Sequence, residues 1–143
     1  MALLSRRKLR ENIFRLLFLS EYHEASEIEE QMELFFFIYL NTEEDSCQYI
    51  SKRFEQITQH LPEIDESISE ASKGWRLPRI GKCELAILRL ALFEMRYDPD
   101  IPVKVAINEA VELSKIYCSE EAPRFVNGIL GKLAESDSES AIR

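Results

Sequence analysis

The sequence predicts an all-α protein, a bundle of helices joined by short connections. Three observations carry that expectation. Four glycines in 143 residues leave little material for the tight turns of a strand-rich fold. Apolar residues recur at intervals of three and four along most of the chain, the spacing of one helical face. No segment alternates apolar and polar residues as a half-buried strand does. With 45% hydrophobic and 31% charged residues, the chain has the make-up of one soluble globular domain with a single core.

The elements follow in order. Ser5 is a good N-cap for a first helix, whose inner face is Leu9, Ile13, Leu16, Leu17 and Ser20, with Phe14 and Phe18 beside it. Ser26 with Glu29 reads as a capping box opening a second helix through Ile28, Met32, Phe35, Phe36 and Tyr39. "NTEED" makes a turn, with Thr42 and Asp45 repeating the capping pattern. Cys47, Ile50, Phe54, Ile57 and Leu61 then form a third inner face. Pro62 opens a fourth, short helix with Ile64, Ile68 and Ala71 inward, and Gly74 is its expected C-terminal cap. "GWRLPR" breaks the pattern. Ile80–Tyr97 is apolar on nearly all sides, with Lys82, Arg89 and Arg96 as a thin polar stripe, the pattern of a central helix in a bundle. After "YDPDIP", Pro102 suits a first helical position, and Val103, Ile107, Ala110, Val111, Ser114 and Tyr117 line the sixth helix.

The seventh stretch, "EEAPRFVNGILGKL", mixes signals. Asn-Gly is a strong hairpin signal, yet Phe125, Val126, Ile129, Leu130 and Leu133 hold helical spacing. It is read as a helix. Each interior glycine costs a helix about 1 kcal/mol relative to alanine, so Gly128 and Gly131 are expected to face a closely packed neighbouring helix. Asn127 is expected to bond to that neighbour or to cap exposed backbone. Residues 1–134 are read as one helical domain and 135–143 as a disordered acidic tail.

Composition narrows the function. No apolar run approaches the roughly 20 residues that span a bilayer, "FFFIYL" being far too short, and no signal peptide is read at the basic N-terminus. Cys47, Cys83 and Cys118 are odd in number and lack a Cys-x-x-Cys pair, which suggests small buried side chains in a reducing compartment. His23 and His60 stand apart from each other and from the cysteines, so no metal site is expected, and no cofactor. No phosphate loop, nucleophile elbow or His-Glu-x-x-His motif is present. The chain is not read as an enzyme.

A net charge of -8 argues at first against a polyanionic partner. The charge is unevenly placed, however. Arg6, Arg7, Lys8 and Arg10 precede the first acid, Glu11, whereas no Lys or Arg occurs between Glu21 and Asp45. Each exposed cation in a helix's first turn opposes the macrodipole at a cost of about 0.3–1 kcal/mol, so helix stability alone would favour acids there. Free backbone N–H groups at the same end favour an anion, and arginine forks suit phosphate. Arg124 and Phe125 open the last helix, pairing a cation with an aromatic fit to stack on an unpaired base.

Three stretches then coincide with one family. "RRKLRENIFRLLFLSEY" resembles the arginine-rich first helix of the bacterial transcription antitermination factor NusB family, and "GKCELAILRLALFEM" resembles its central helix. "DIPVKVAINEAVELSKIYCSEEAPRFVNGILGKL" is similar to its most characteristic region, "PVKVAINEAVELSK" and "FVNGIL" being highly specific strings. Together they cover about half the chain; residues 23–74 match only as a helical pattern. The resemblance implies a seven-helix bundle in two subdomains, without a β-sheet. It further implies a bacterial cytoplasmic protein that binds single-stranded boxA RNA with NusE, the small-subunit ribosomal protein, and joins elongating RNA polymerase to suppress termination. Carried over to matching positions, the RNA surface would include Arg6, Arg7, Arg10, Arg89, Lys104, Glu121, Arg124 and Phe125, and the NusE face Phe18 and Glu84. Val103 stands where some members carry an aromatic, so weak RNA binding alone, strengthened by NusE, is expected.

Three alternatives stay open on the residues. One is a helical adaptor or homodimer whose cationic end meets acidic protein and never touches RNA. Another is a piece related to the NusB-like appendage of ribosomal RNA methyltransferases, although the chain has no room for their catalytic domain. The last is an unrecognised helical enzyme, which a deep polar pocket with converging titratable groups would reveal.

Overall fold

The protein is described from a computed structural model, which covers residues 4–40, 44–72 and 80–142, with side chains through residue 139. Among these residues there are seven α-helices and no strand. The chain divides into two units, residues 1–59 and 60–143.

In the first unit, α1 (Arg6–Ser20) packs on α2 (Ala25–Tyr39) and α3 (Glu44–Gln59). The Ser5 hydroxyl accepts from the Lys8 N–H at 3.2 Å, the predicted cap. The buried face of α1 is broad, running from Asn12 through Leu9, Ile13 and Leu16 to Leu17, Arg10 and Phe14. Asn12 Nδ2 donates to the Lys8 carbonyl at 2.9 Å. On α3 the buried residues are Ser46, Ile50, Phe54 and Ile57. The Ser46 hydroxyl accepts from the Leu4 N–H at 3.0 Å, which ties the chain start to the first turn of α3. The opening of α2 differs from expectation. Its capping box is made by Glu24 and Glu27 rather than Ser26 and Glu29, and the helix begins at Ala25. Thr42, proposed to cap the third helix, and Gly74, proposed to end the fourth, lie outside the described residues.

The second unit holds α4 (Leu61–Ala71), α5 (Lys82–Tyr97), α6 (Val103–Tyr117) and α7 (Ala122–Ile142). Pro62 lies in the first turn of α4, where its missing N–H costs nothing. α5 is central, packing on α4, α6 and α7. Its residues Leu85 to Leu88 and Leu90 to Phe93 are all buried, and each large apolar side chain so buried contributes about 1.5–3 kcal/mol. α6 begins directly after Pro102, whose carbonyl accepts from the N–H groups of Val105 and Ala106 at 3.0 and 3.1 Å. The Asn-Gly pair is helical, in the second turn of α7. Val126, Ile129, Leu130 and Leu133 are its core face. α7 runs on as a helix to Ile142. Asp137 explains part of that, since its carboxylate takes two hydrogen bonds from the Arg96 guanidinium of α5, at 2.9 and 3.0 Å.

The cysteines are a further departure. Cys83 and Cys118, their Cα atoms 6.1 Å apart, pair as a disulfide between the first turn of α5 and the end of α6. Cys47 is a free thiol, and all three are half-buried rather than buried. Thirty-five positions separate the pair, and only the packing of α5 on α6 brings them together.

Candidate nucleic-acid interface

The start of α1 is the most cationic surface in the first unit. Its first turn holds no acidic residue, and Arg6, Arg7 and Lys8 are all exposed. Lys8 reaches Glu11 at 3.3 Å. Such an exposed pair is worth little, and Lys8 remains accessible to another anion. Arg10 corrects the expectation. It is 7% exposed, because Arg10, Phe14 and Leu17 recur at four and three and so share the inward side of α1. A buried guanidinium cannot serve as an open fork for phosphate, and the cationic surface reduces to Arg6, Arg7 and Lys8.

In the second unit the starts of α6 and α7 supply the other predicted residues. Lys104 is exposed and lines a shallow groove with Val105, Asn108 and Asn127. Val103 beside it is 40% exposed. At the opening of α7, Glu121 and Arg124 are exposed and Phe125 is half-buried. Arg124, Asn127, Gly128 and Gly131 recur at three, four and seven, and all four face solvent. The glycines therefore do not serve the close helix contact expected of them. A Cβ built on either meets no atom of the described residues within 4 Å. What they create is a strip of bare helical backbone running from Arg124 past the groove residue Asn127.

Arg89 is placed elsewhere and held. Its guanidinium donates from Nε and a terminal nitrogen to both oxygens of Asp65 on α4, each at 2.9 Å, with the pair largely buried. That bidentate geometry makes Arg89 a strut between α4 and α5 rather than an open surface cation. Arg96, next on the same stripe, is likewise engaged with Asp137 and Ser67. Lys82 alone of the three is exposed.

The two residues assigned to a protein partner are both half-buried. Phe18 stacks on Phe14 with ring centroids 6.2 Å apart and meets Tyr22 edge-on at 5.3 Å, so a ladder of aromatics runs from core to surface. Glu84 stands in the first turn of α5, where the helix dipole favours an acid, and its carboxylate lies over Gly81. Sequence reasoning passed over Asn108, a groove residue whose only signal was its exposed position one turn beyond Lys104.

These parts define a helical binding protein, in which cations and open backbone at helix starts take the place of a reactive pocket. Among the described residues there is no cluster of His, Cys, Asp and Glu able to hold a metal, and no helix long and apolar enough to cross a membrane. The chain belongs to the NusB family, whose model matches residues 7–135. It is 46% identical over 132 residues to the transcription antitermination protein NusB of Lachnoclostridium phytofermentans, an alignment covering 92% of this chain and all of that one. In structure it is similar to NusB of T. maritima, with a TM-score of 0.80, 30% identity, and 94% and 93% of the two chains covered. The fold is also that of a NusB chain crystallised with NusE and double-stranded RNA, at a TM-score of 0.77, 23% identity, and 92% and 96% coverage.

Proposed function

We propose that the protein is an RNA-binding transcription antitermination factor of the bacterial cytoplasm. Together with NusE it binds single-stranded boxA RNA in ribosomal RNA leaders, and the complex helps elongating RNA polymerase suppress termination.

The observation that carries the reading is the acid-free start of α1, with Arg6, Arg7 and Lys8 exposed at an end whose dipole already repels them. Cations placed against the dipole are explained by an anion that binds there. Phosphates of an RNA strand accept from the arginine forks and from unpaired backbone N–H groups. Lys104 and Arg124 supply further phosphate contacts at two more helix starts. Phe125 offers a ring for an unpaired base, and the strip at Gly128 and Gly131 lets a strand approach backbone directly. Phe18 and Glu84 are the proposed NusE contacts, an aromatic and an acid facing a basic ribosomal protein. No bond is made or broken; the activity is the assembly itself.

The test is a titration of boxA-containing single-stranded RNA against the protein, with and without NusE. NusE is expected to raise affinity at least about tenfold, and Arg6→Gln with Arg7→Gln to lower the affinity of the complex about tenfold. Equal affinity with and without NusE would refute the joint mechanism. Unchanged binding by the folded double variant would remove the α1 cations from it.

A further inference from the structure

The outward face of α2 is used by none of the contacts above, yet it is unusually apolar. Leu34, Phe37 and Ile38 are 50%, 70% and 58% exposed. Phe37 and Ile38 follow Leu34 at three and four residues, so the three form one continuous surface on the last two turns. The opposite side of the helix is different, with Phe35 in the core and Tyr39, itself 56% exposed, under the Arg15 guanidinium at 5.0 Å. Three adjacent large apolar side chains in water are uncommon on a surface that serves no partner.

The first two turns of the same face are acidic. Glu30 lies four and seven residues before Leu34 and Phe37, in line with them, and Glu27 and Glu33 flank it; all three acids are exposed. Glu27 is engaged by the capping box and lies 3.8 Å from His23, whereas no Lys or Arg occurs anywhere from Glu21 to Asp45. The cations bordering the apolar end are Arg15, on its inner side, and Lys52, in the groove that Phe36 shares with α3. The outward face thus has two halves, an acidic one and an apolar one, over about 16 Å from Glu27 to Ile38 at 1.5 Å per residue.

We infer that this face of α2 docks a basic amphipathic helix of a second protein partner. Apolar side chains at one end of that helix cover Leu34, Phe37 and Ile38, and Lys or Arg side chains at the other meet Glu30 and Glu33. The charge selects the occupant. A nucleic-acid strand or an anionic membrane surface is repelled by the acidic half. A second copy of this chain could cover only the apolar half, and three side chains fall well short of the ~800 Å² per partner of a stable interface. A basic helix uses both halves, and attraction at one end fixes its direction.

Two synthetic helical peptides of matched length are the probes, both with Leu and Ile spaced at three and four at one end. One carries Lys and Arg at the other end, the second Glu. Binding to the full chain is followed by amide chemical shifts and by titration calorimetry. The basic peptide is expected to shift the signals of Leu34, Phe37 and Ile38. Its affinity is expected to fall about tenfold with Phe37→Ser and, separately, with Glu30→Gln plus Glu33→Gln. Phe37→Ser alters an exposed position, so the fold and the affinity for boxA RNA should stay at parental values. Equal binding of the acidic peptide, or shifts confined to other helices, would overturn the assignment. So would sedimentation showing a dimer that Phe37→Ser dissolves, or adsorption to phosphatidylcholine vesicles that the same variant abolishes.

Discussion

Glu63 accepts hydrogen bonds from two side chains. The His60 Nδ1 lies 3.0 Å from its carboxylate and the Tyr97 hydroxyl 2.9 Å, while the His60 ring stacks on Tyr97 with centroids 4.0 Å apart. The His60 bond first, then the Tyr97 bond, hold the Glu63 carboxyl below its ordinary range. Burial, reinforced by the bond to Glu63, raises the Tyr97 phenol. A depressed carboxyl stabilises the fold above its unfolded value, and that contribution is lost as the pH falls through the folded value. A raised phenol stabilises below its unfolded value and loses that contribution as the pH rises through the folded one. Tyr97→Phe removes one donor. The Glu63 carboxyl carbon, followed by NMR, should then titrate nearer the ordinary carboxylate range, and the acid limb of the stability profile should flatten. An unchanged titration would mean that His60 alone sets it. None of this network was legible in the sequence, where Glu63 is one acid among 26. The stripe Lys82, Arg89, Arg96 was legible, but its meaning was not. Spacing assigns a residue to a face, and the acid that meets it, Asp65 or Asp137, comes from another helix.

At the level of the element, every helix was visible from periodicity, because three-and-four spacing records the buried face directly. Boundaries were less so. The capping box of α2 has the expected i to i+3 relation but sits two residues earlier, as Ser is the commoner N-cap and the cue favoured Ser26 over Glu24. The glycines of α7 were the clearest misreading. An interior glycine signals that a side chain is unwanted, without saying whether a neighbouring helix or an external ligand excludes it. Here the space is open among the described residues, which turns the error into a test. Gly128→Ala and Gly131→Ala each remove unfolded-state freedom and meet no clash, so each should stabilise the protein by about 0.5–1 kcal/mol in urea unfolding. If a strand of RNA lies against that backbone, the same variants should weaken boxA binding by the NusE complex while the fold grows more stable. Stabilisation with undiminished binding would show that the strip is not a contact surface.

For the molecule as a whole, a net charge of -8 and a polyanionic partner are compatible only if binding is governed by local contacts. Fields of exposed charges are screened beyond about 8–10 Å near physiological salt, so the acids of α2 and the acidic end of α7 act mainly on what touches them. Four exposed cations, Arg6, Arg7, Lys104 and Arg124, are the proposed phosphate contacts. If each displaces one condensed counterion from a single strand, log affinity should fall with log salt at a slope of about -3. Lys104→Gln should then make the slope shallower by about 0.7 and weaken all RNA sequences alike, whereas loss of the Phe125 ring should lower affinity at every salt concentration and leave the slope unchanged. Were long-range repulsion by the net charge in control, added salt would strengthen binding instead. A flat or rising dependence, measured with the NusE complex on boxA RNA, would therefore show that the cationic helix starts do not hold phosphate.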